Sequence, residues 1–82
     1  MRRFIKQGEQ FIEVAPTQPM RDLMRSISPE QAIYIECLTA LELDSAAQNA
    51  HQMNRQPRPD GFRYKIRRSA KDMSVTVQLE PV

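Results

Sequence analysis

The chain has 82 residues, 40% of them hydrophobic and 27% charged, with a formal net charge of +2. Its length excludes two independent cores, since domains below roughly 50 residues rarely hold one, and its composition excludes an intrinsically disordered segment. One cysteine excludes an internal disulfide, two glycines exclude a Gly-rich phosphate loop, and no stretch approaches the ~20 apolar residues that a membrane span requires.

Residues 1–14, MRRFIKQGEQFIEV, read as a hairpin turning at Gln7-Gly8. That register sets Phe4 opposite Phe11, Lys6 opposite Glu9 and Arg2 opposite Glu13 on one face, with Ile5, Ile12 and Val14 on the other. The basic start resembles the head of a signal peptide, but Lys6, Gln7 and Glu9 interrupt the apolar run that should follow, so a soluble, cytoplasmic protein is expected. Ala15 to Pro19 is a connector. A helix over about residues 18–27 follows, with Met20, Leu23, Met24 and Ile27 at helical spacing and Arg21, Asp22 and Arg25 on its wet side.

Ser28-Pro29-Glu30-Gln31 has the pattern of a capping box with proline at the first helical position, which predicts a second helix over 29–53. At about 100° per residue, Ile33, Tyr34, Cys37, Leu38, Ala40 and Leu41 share one core stripe. Further along, the apolar face changes phase. Either the helix breaks near Leu43-Asp44-Ser45, giving three helices, or it continues with a second apolar seam of Leu43, Ala46, Ala50 and Met53, joined by Ile35. That seam is a candidate helix interface for a partner or a second copy. Residues 54–61, NRQPRPDG, form a linker, and 62–80 form a final hairpin in which Phe62, Tyr64 and Ile66 alternate with Arg63, Lys65 and Arg67.

The expected fold is one α+β domain in the order ββ-αα-ββ, with the two terminal hairpins forming an antiparallel sheet packed on two or three helices. The order strand, helix, helix from Phe11 to Leu43 resembles that of the ribbon-helix-helix repressors. No residue transfers from it, because the first helix is short, the turn between helices lacks a glycine, and Glu13 stands where a DNA-reading strand prefers neutral or basic side chains.

Chemistry points away from catalysis. Cys37 and His51 are the only pair from which a nucleophile and base could be built, and fourteen residues of straight helix would hold them about 21 Å apart. The same residues are too few for a metal site, and no cofactor is expected. The basic run is the other candidate. Arg63, Lys65 and Arg67 point outward in one row, with Arg68 and Lys71 near the turn and Arg55 and Arg58 upstream. Such a row holds phosphates, meets an acidic protein surface, or only keeps an exposed strand soluble. The expectation is a small non-enzymatic protein that regulates or inhibits a larger machine by docking on a protein partner. The alternative is a nucleic-acid binder using the C-terminal hairpin. No membrane partner is expected, and self-association as a homodimer would suit so small a core.

Overall fold

A computed structural model describes the whole chain, Met1–Val82. Strands β1 (Arg2–Gln7) and β2 (Gln10–Glu13) come first, then helix α1 (Met20–Ser26), strand β3 (Gln31–Glu36) and helix α2 (Ala40–Gln52). A 3-10 turn (Met53–Arg55) leads to strands β4 (Phe62–Ser69) and β5 (Ser74–Pro81). All five strands join one antiparallel sheet in the order β2-β1-β3-β5-β4. The α+β class is as expected, but the order is ββ-α-β-α-ββ, and the terminal hairpins are joined through β3 instead of meeting each other. A strand between the two helices also ends the likeness to ribbon-helix-helix proteins. Neither helix is long and apolar enough to cross a membrane.

The expected helix over 29–53 is therefore wrong from its start to Thr39, nearly half its length. Ser28 to Gln31 closes a turn, with the Gln31 N–H donating to the Ser28 carbonyl at 2.9 Å. The Gln31 side-chain oxygen accepts from the Ser28 N–H at 2.9 Å, as half of a capping box would, yet the chain leaves the turn as a strand. β-Branched Ile33 and Ile35 favour the pleated backbone, and alternation drives both into the core while Tyr34 points the other way. The helix begins later, where Thr39 Oγ1 accepts from the Glu42 N–H at 3.1 Å and Glu42 Oε1 accepts from the Leu38 N–H at 2.9 Å. Leu38 and Leu41, expected in the core stripe, are 80% and 76% exposed.

In the first hairpin the turn is Gly8-Glu9, and Gly8 has φ +62°, as the first position of a type II′ turn requires. Phe4 pairs with Glu13 and Lys6 with Phe11, a slide of two residues from the expected register. Because strand side chains alternate with period two, such a slide leaves every side chain on its expected face. Arg2 and Glu13 still meet, now diagonally, through paired bonds of 3.0 and 2.9 Å. These bonds hold the Glu13 carboxyl below its ordinary pKa and raise that of the Arg2 guanidinium.

One face of the sheet is buried except at the edge strand β2, where Ile12 is 54% exposed. Ile33, Ile35, Val75 and Val77 form its fully covered centre, closed over by Leu23 and Met24 of α1 and Leu43, Ala46, Ala47 and Ala50 of α2. The expected interface seam is thus placed inside the molecule. Leu43, Ala46 and Ala50 pack in the core, Met53 is partly buried against it, and Ile35 belongs to β3 instead of a helix. Arg68 also lies on the helical side and pairs with Asp44 of α2.

Arg58, expected on a basic surface, staples the linker to α1. Its guanidinium donates to the Met24 carbonyl at 3.0 Å, the Ile27 carbonyl at 3.2 Å, the Tyr64 hydroxyl at 2.9 Å and the Asp60 carboxylate at 2.8 Å. These carbonyls close the C-terminal end of α1, where no further helical N–H is available and a cation is favoured. Asn54 protects the outer edge of β4, donating to the Tyr64 carbonyl at 2.8 Å and accepting from its N–H at 2.9 Å.

The Arg58 hydrogen bonds hold the Asp60 carboxyl below its ordinary value. A carboxyl depressed on folding stabilises the native state above its unfolded pKa, near 3.9, and that contribution is lost as pH falls through the folded value. Thermal melts of Asp60→Asn are therefore expected to show a shallower loss of Tm below about pH 4 than the parent, with Glu13 supplying part of the remaining slope. An acid limb as steep as the parent's would place the titrating groups elsewhere.

A candidate nucleic-acid interface

The other face of the sheet has no helix over it. Alternation places Arg2, Phe4 and Lys6 of β1, Phe11 and Glu13 of β2, and Tyr34 and Glu36 of β3 on this face. β5 adds Thr76, Gln78 and Glu80, and β4 adds Arg63, Lys65 and Arg67. The pairing register aligns these side chains in rows that cross the strands. Phe4, Tyr34, Thr76 and Arg67 form one row, and Phe11, Lys6, Ala32, Gln78 and Lys65 form the next. At roughly 4.8 Å between strands, Phe4 lies about 14 Å from Arg67 along its row.

The three rings at one end touch. Phe4 and Phe11 have centroids 6.4 Å apart, Phe4 and Tyr34 6.3 Å, and Phe11 and Tyr34 5.9 Å, the first and last pairs edge to face. Edge-to-face packing brings the positive edge of one ring to the negative face of another and leaves other ring faces free for contact. Phe11 is 53% exposed. Arg2 lies 5.1 Å from the Phe4 centroid and Lys6 5.6 Å from that of Phe11, so cations already sit on two of the rings. Arg2 is also bonded to Glu13, whereas Lys6 is exposed and makes no ion pair.

The expected basic row is present on β4, and its members differ in their surroundings. Arg63 donates to Glu80 at 2.8 Å. Lys65 faces Gln78 and Arg67 faces Thr76, with no ion pair to either. Lys71 lies in the β4–β5 turn, exposed, and Arg68 is committed to Asp44 on the opposite side. The row therefore resolves into Lys65 and Arg67 as available cations and Arg63 as a paired one.

The aromatic cluster was legible only in part. The sequence pattern places Phe4 and Phe11 together on one face, but the helical stripe that includes Tyr34 separates it from them, so the three-ring cluster is not predicted. The alternation of Ala32, Tyr34 and Glu36 with Ile33 and Ile35 was the available signal. Cys37 follows β3, so the helical separation from His51 no longer applies. The thiol is free and buried, its pKa pushed up first by burial and then by the Glu42 charge, whereas His51 is exposed. Neither residue lies on the open face.

Compared with protein-family models, with curated proteins and with solved structures, the chain matches none.

Proposed function

We propose that this is a small non-enzymatic binding protein that holds single-stranded nucleic acid on its open sheet face. The observation that supports it is the Phe4-Phe11-Tyr34 cluster sharing rows with Lys65 and Arg67. Exposed bases gain by stacking on aromatic rings, and Lys or Arg beside them neutralise the phosphates. A strand laid along the rows would stack about two or three bases on the rings and bring the phosphates of the nucleotides further along to Lys65 and Arg67. A duplex hides its base faces and gains only the electrostatic part.

Fluorescence anisotropy with labelled oligo(dT), oligo(U) and a duplex of equal length tests this. With Lys65 and Arg67 neutralising about two phosphates, a single-strand salt slope near −1.4 makes affinity fall about seven-fold between 50 and 200 mM salt. Phe11→Ala is expected to weaken single-strand binding by about ten-fold, at the lower end of measured stacking contributions. Equal binding of duplex and single strand, or an unchanged Phe11→Ala affinity, would remove the stacking account.

A second proposal keeps the open face but gives it a protein partner, with the molecule acting as a regulator or inhibitor of a larger assembly. Glu13, Glu36 and Glu80 favour it, because they make the face mixed in sign, as protein surfaces prefer and phosphates do not. Stoichiometric retention of one partner after nuclease treatment, lost on Phe11→Ala, would support this proposal over the first.

A further inference from the structure

On the helical side, away from the open face, a groove of about 750 Å³ runs between α1 and the end of α2 with its 3-10 turn. Met20 and Met53 contribute apolar surface, and Arg21, Arg25 and Arg55 contribute charge, opposed by Asp22 alone. None of the three arginines makes an ion pair within the chain. Arg21 and Arg25 are four residues apart, on neighbouring positions of one short helix, where like charges repel and weaken the helix. Arg55 adds a third cation from the facing turn. Asn49, Gln52 and Gln56 complete the polar wall, and their side chains make no hydrogen bond within the chain.

We propose that this groove docks an acidic protein segment whose carboxylates alternate with apolar side chains. Unpaired guanidinium groups present planar donor forks that match carboxylates. Methionine side chains are flexible and polarisable, and so adapt to aliphatic or aromatic anchors of varied shape. The lining contains no aromatic ring, so bases would find nothing to stack on, which separates this groove from the open sheet face. The two surfaces draw on different side chains, and the groove assignment does not depend on nucleic-acid binding.

The test is a titration of the full isotope-labelled chain, followed by amide resonances. The probe is a short capped peptide of Glu pairs alternating with Leu and Phe. Controls are the same peptide with Gln for Glu, and oligo(dT). The acidic peptide is expected to shift resonances of α1 and of Met53–Arg55. Its affinity should fall about ten-fold with the Gln peptide and by a similar factor with an Arg21→Gln, Arg25→Gln, Arg55→Gln variant, as exposed charge pairs of modest individual strength would give. All three arginines are exposed and Arg21 and Arg25 repel each other, so the variant should melt no lower than the parent. Shifts confined to the sheet, equal binding of the Gln peptide, or displacement of the acidic peptide by oligo(dT) would each overturn the proposal. Failure of oligo(dT) to bind anywhere counts against the sheet assignment and leaves the groove result standing.

Discussion

A variant with Arg63→Glu, Lys65→Glu and Arg67→Glu is expected to bind single-stranded oligonucleotide about a thousand-fold more weakly than the parent at low salt, a loss of about 4 kcal/mol. Each position first loses an attraction to phosphate, worth about 1 kcal/mol at contact distance in a water-like dielectric, and then adds a repulsion of similar size. Salt reduces both. The three positions should not contribute equally. Arg63 is already paired with Glu80 at 2.8 Å, so its reversal gives up less binding and sets two carboxylates facing each other across β4 and β5. Lys65→Glu with Arg67→Glu alone should therefore retain most of the effect with little change in Tm. Anisotropy measures the affinity and a thermal melt shows that the fold is kept. A double variant that binds as tightly as the parent would leave the row as a solubility device on an edge strand.

That prediction is sharper than the sequence alone allows, and the reason lies in which signals are local. The terminal hairpins are legible because alternation and turn residues sit within a few positions of each other. Even the misplaced turn did little harm, since a slide of two residues preserves the faces and keeps Arg2 near Glu13 and Phe4 near Phe11. Gln31 to Cys37 is ambiguous because Ile33, Tyr34 and Cys37 satisfy a helical arc while Ile33, Ile35 and Cys37 satisfy a strand alternation. Ser28-Pro29-Glu30-Gln31 carries a helix-start pattern, although Gln31 makes its capping-type bond from a turn. The helix start that the fold uses is Thr39 with Glu42, which falls inside the span expected as one continuous helix. One wrong element had two consequences. It hid Tyr34 from the open face, and it left the Leu43, Ala46 and Ala50 seam without the sheet that covers it. α2 runs unbroken through Leu43-Asp44-Ser45, so the break expected there does not occur, and the change of phase arises because Gln31–Glu36 is a strand.

Arg58 was not legible at all, because its partners lie 31 and 34 residues away at Ile27 and Met24, and only the folded chain brings them together. Arg58→Ala is expected to destabilise the protein by about 3 kcal/mol. A hydrogen bond to a charged group contributes roughly 1.5–3 kcal/mol, and a buried carbonyl left without a donor costs about 1–3 kcal/mol, with water entering the vacated space offsetting part of the sum. The Arg58 side chain is only 12% exposed, so solvent screens these bonds less than it screens the Arg2–Glu13 pair. For a domain of this size the loss corresponds to a fall in Tm of roughly 12–24 °C. Arg58→Lys should recover little of it. A single ammonium cannot span the Met24 and Ile27 carbonyls, the Tyr64 hydroxyl and the Asp60 carboxylate as the planar fork does. Tyr64→Phe removes only the hydroxyl between Arg58 and the Met24 carbonyl, and should cost about 1 kcal/mol. Full recovery by Arg58→Lys would mean that a positive charge near the end of α1 is sufficient, and that the fork geometry contributes little.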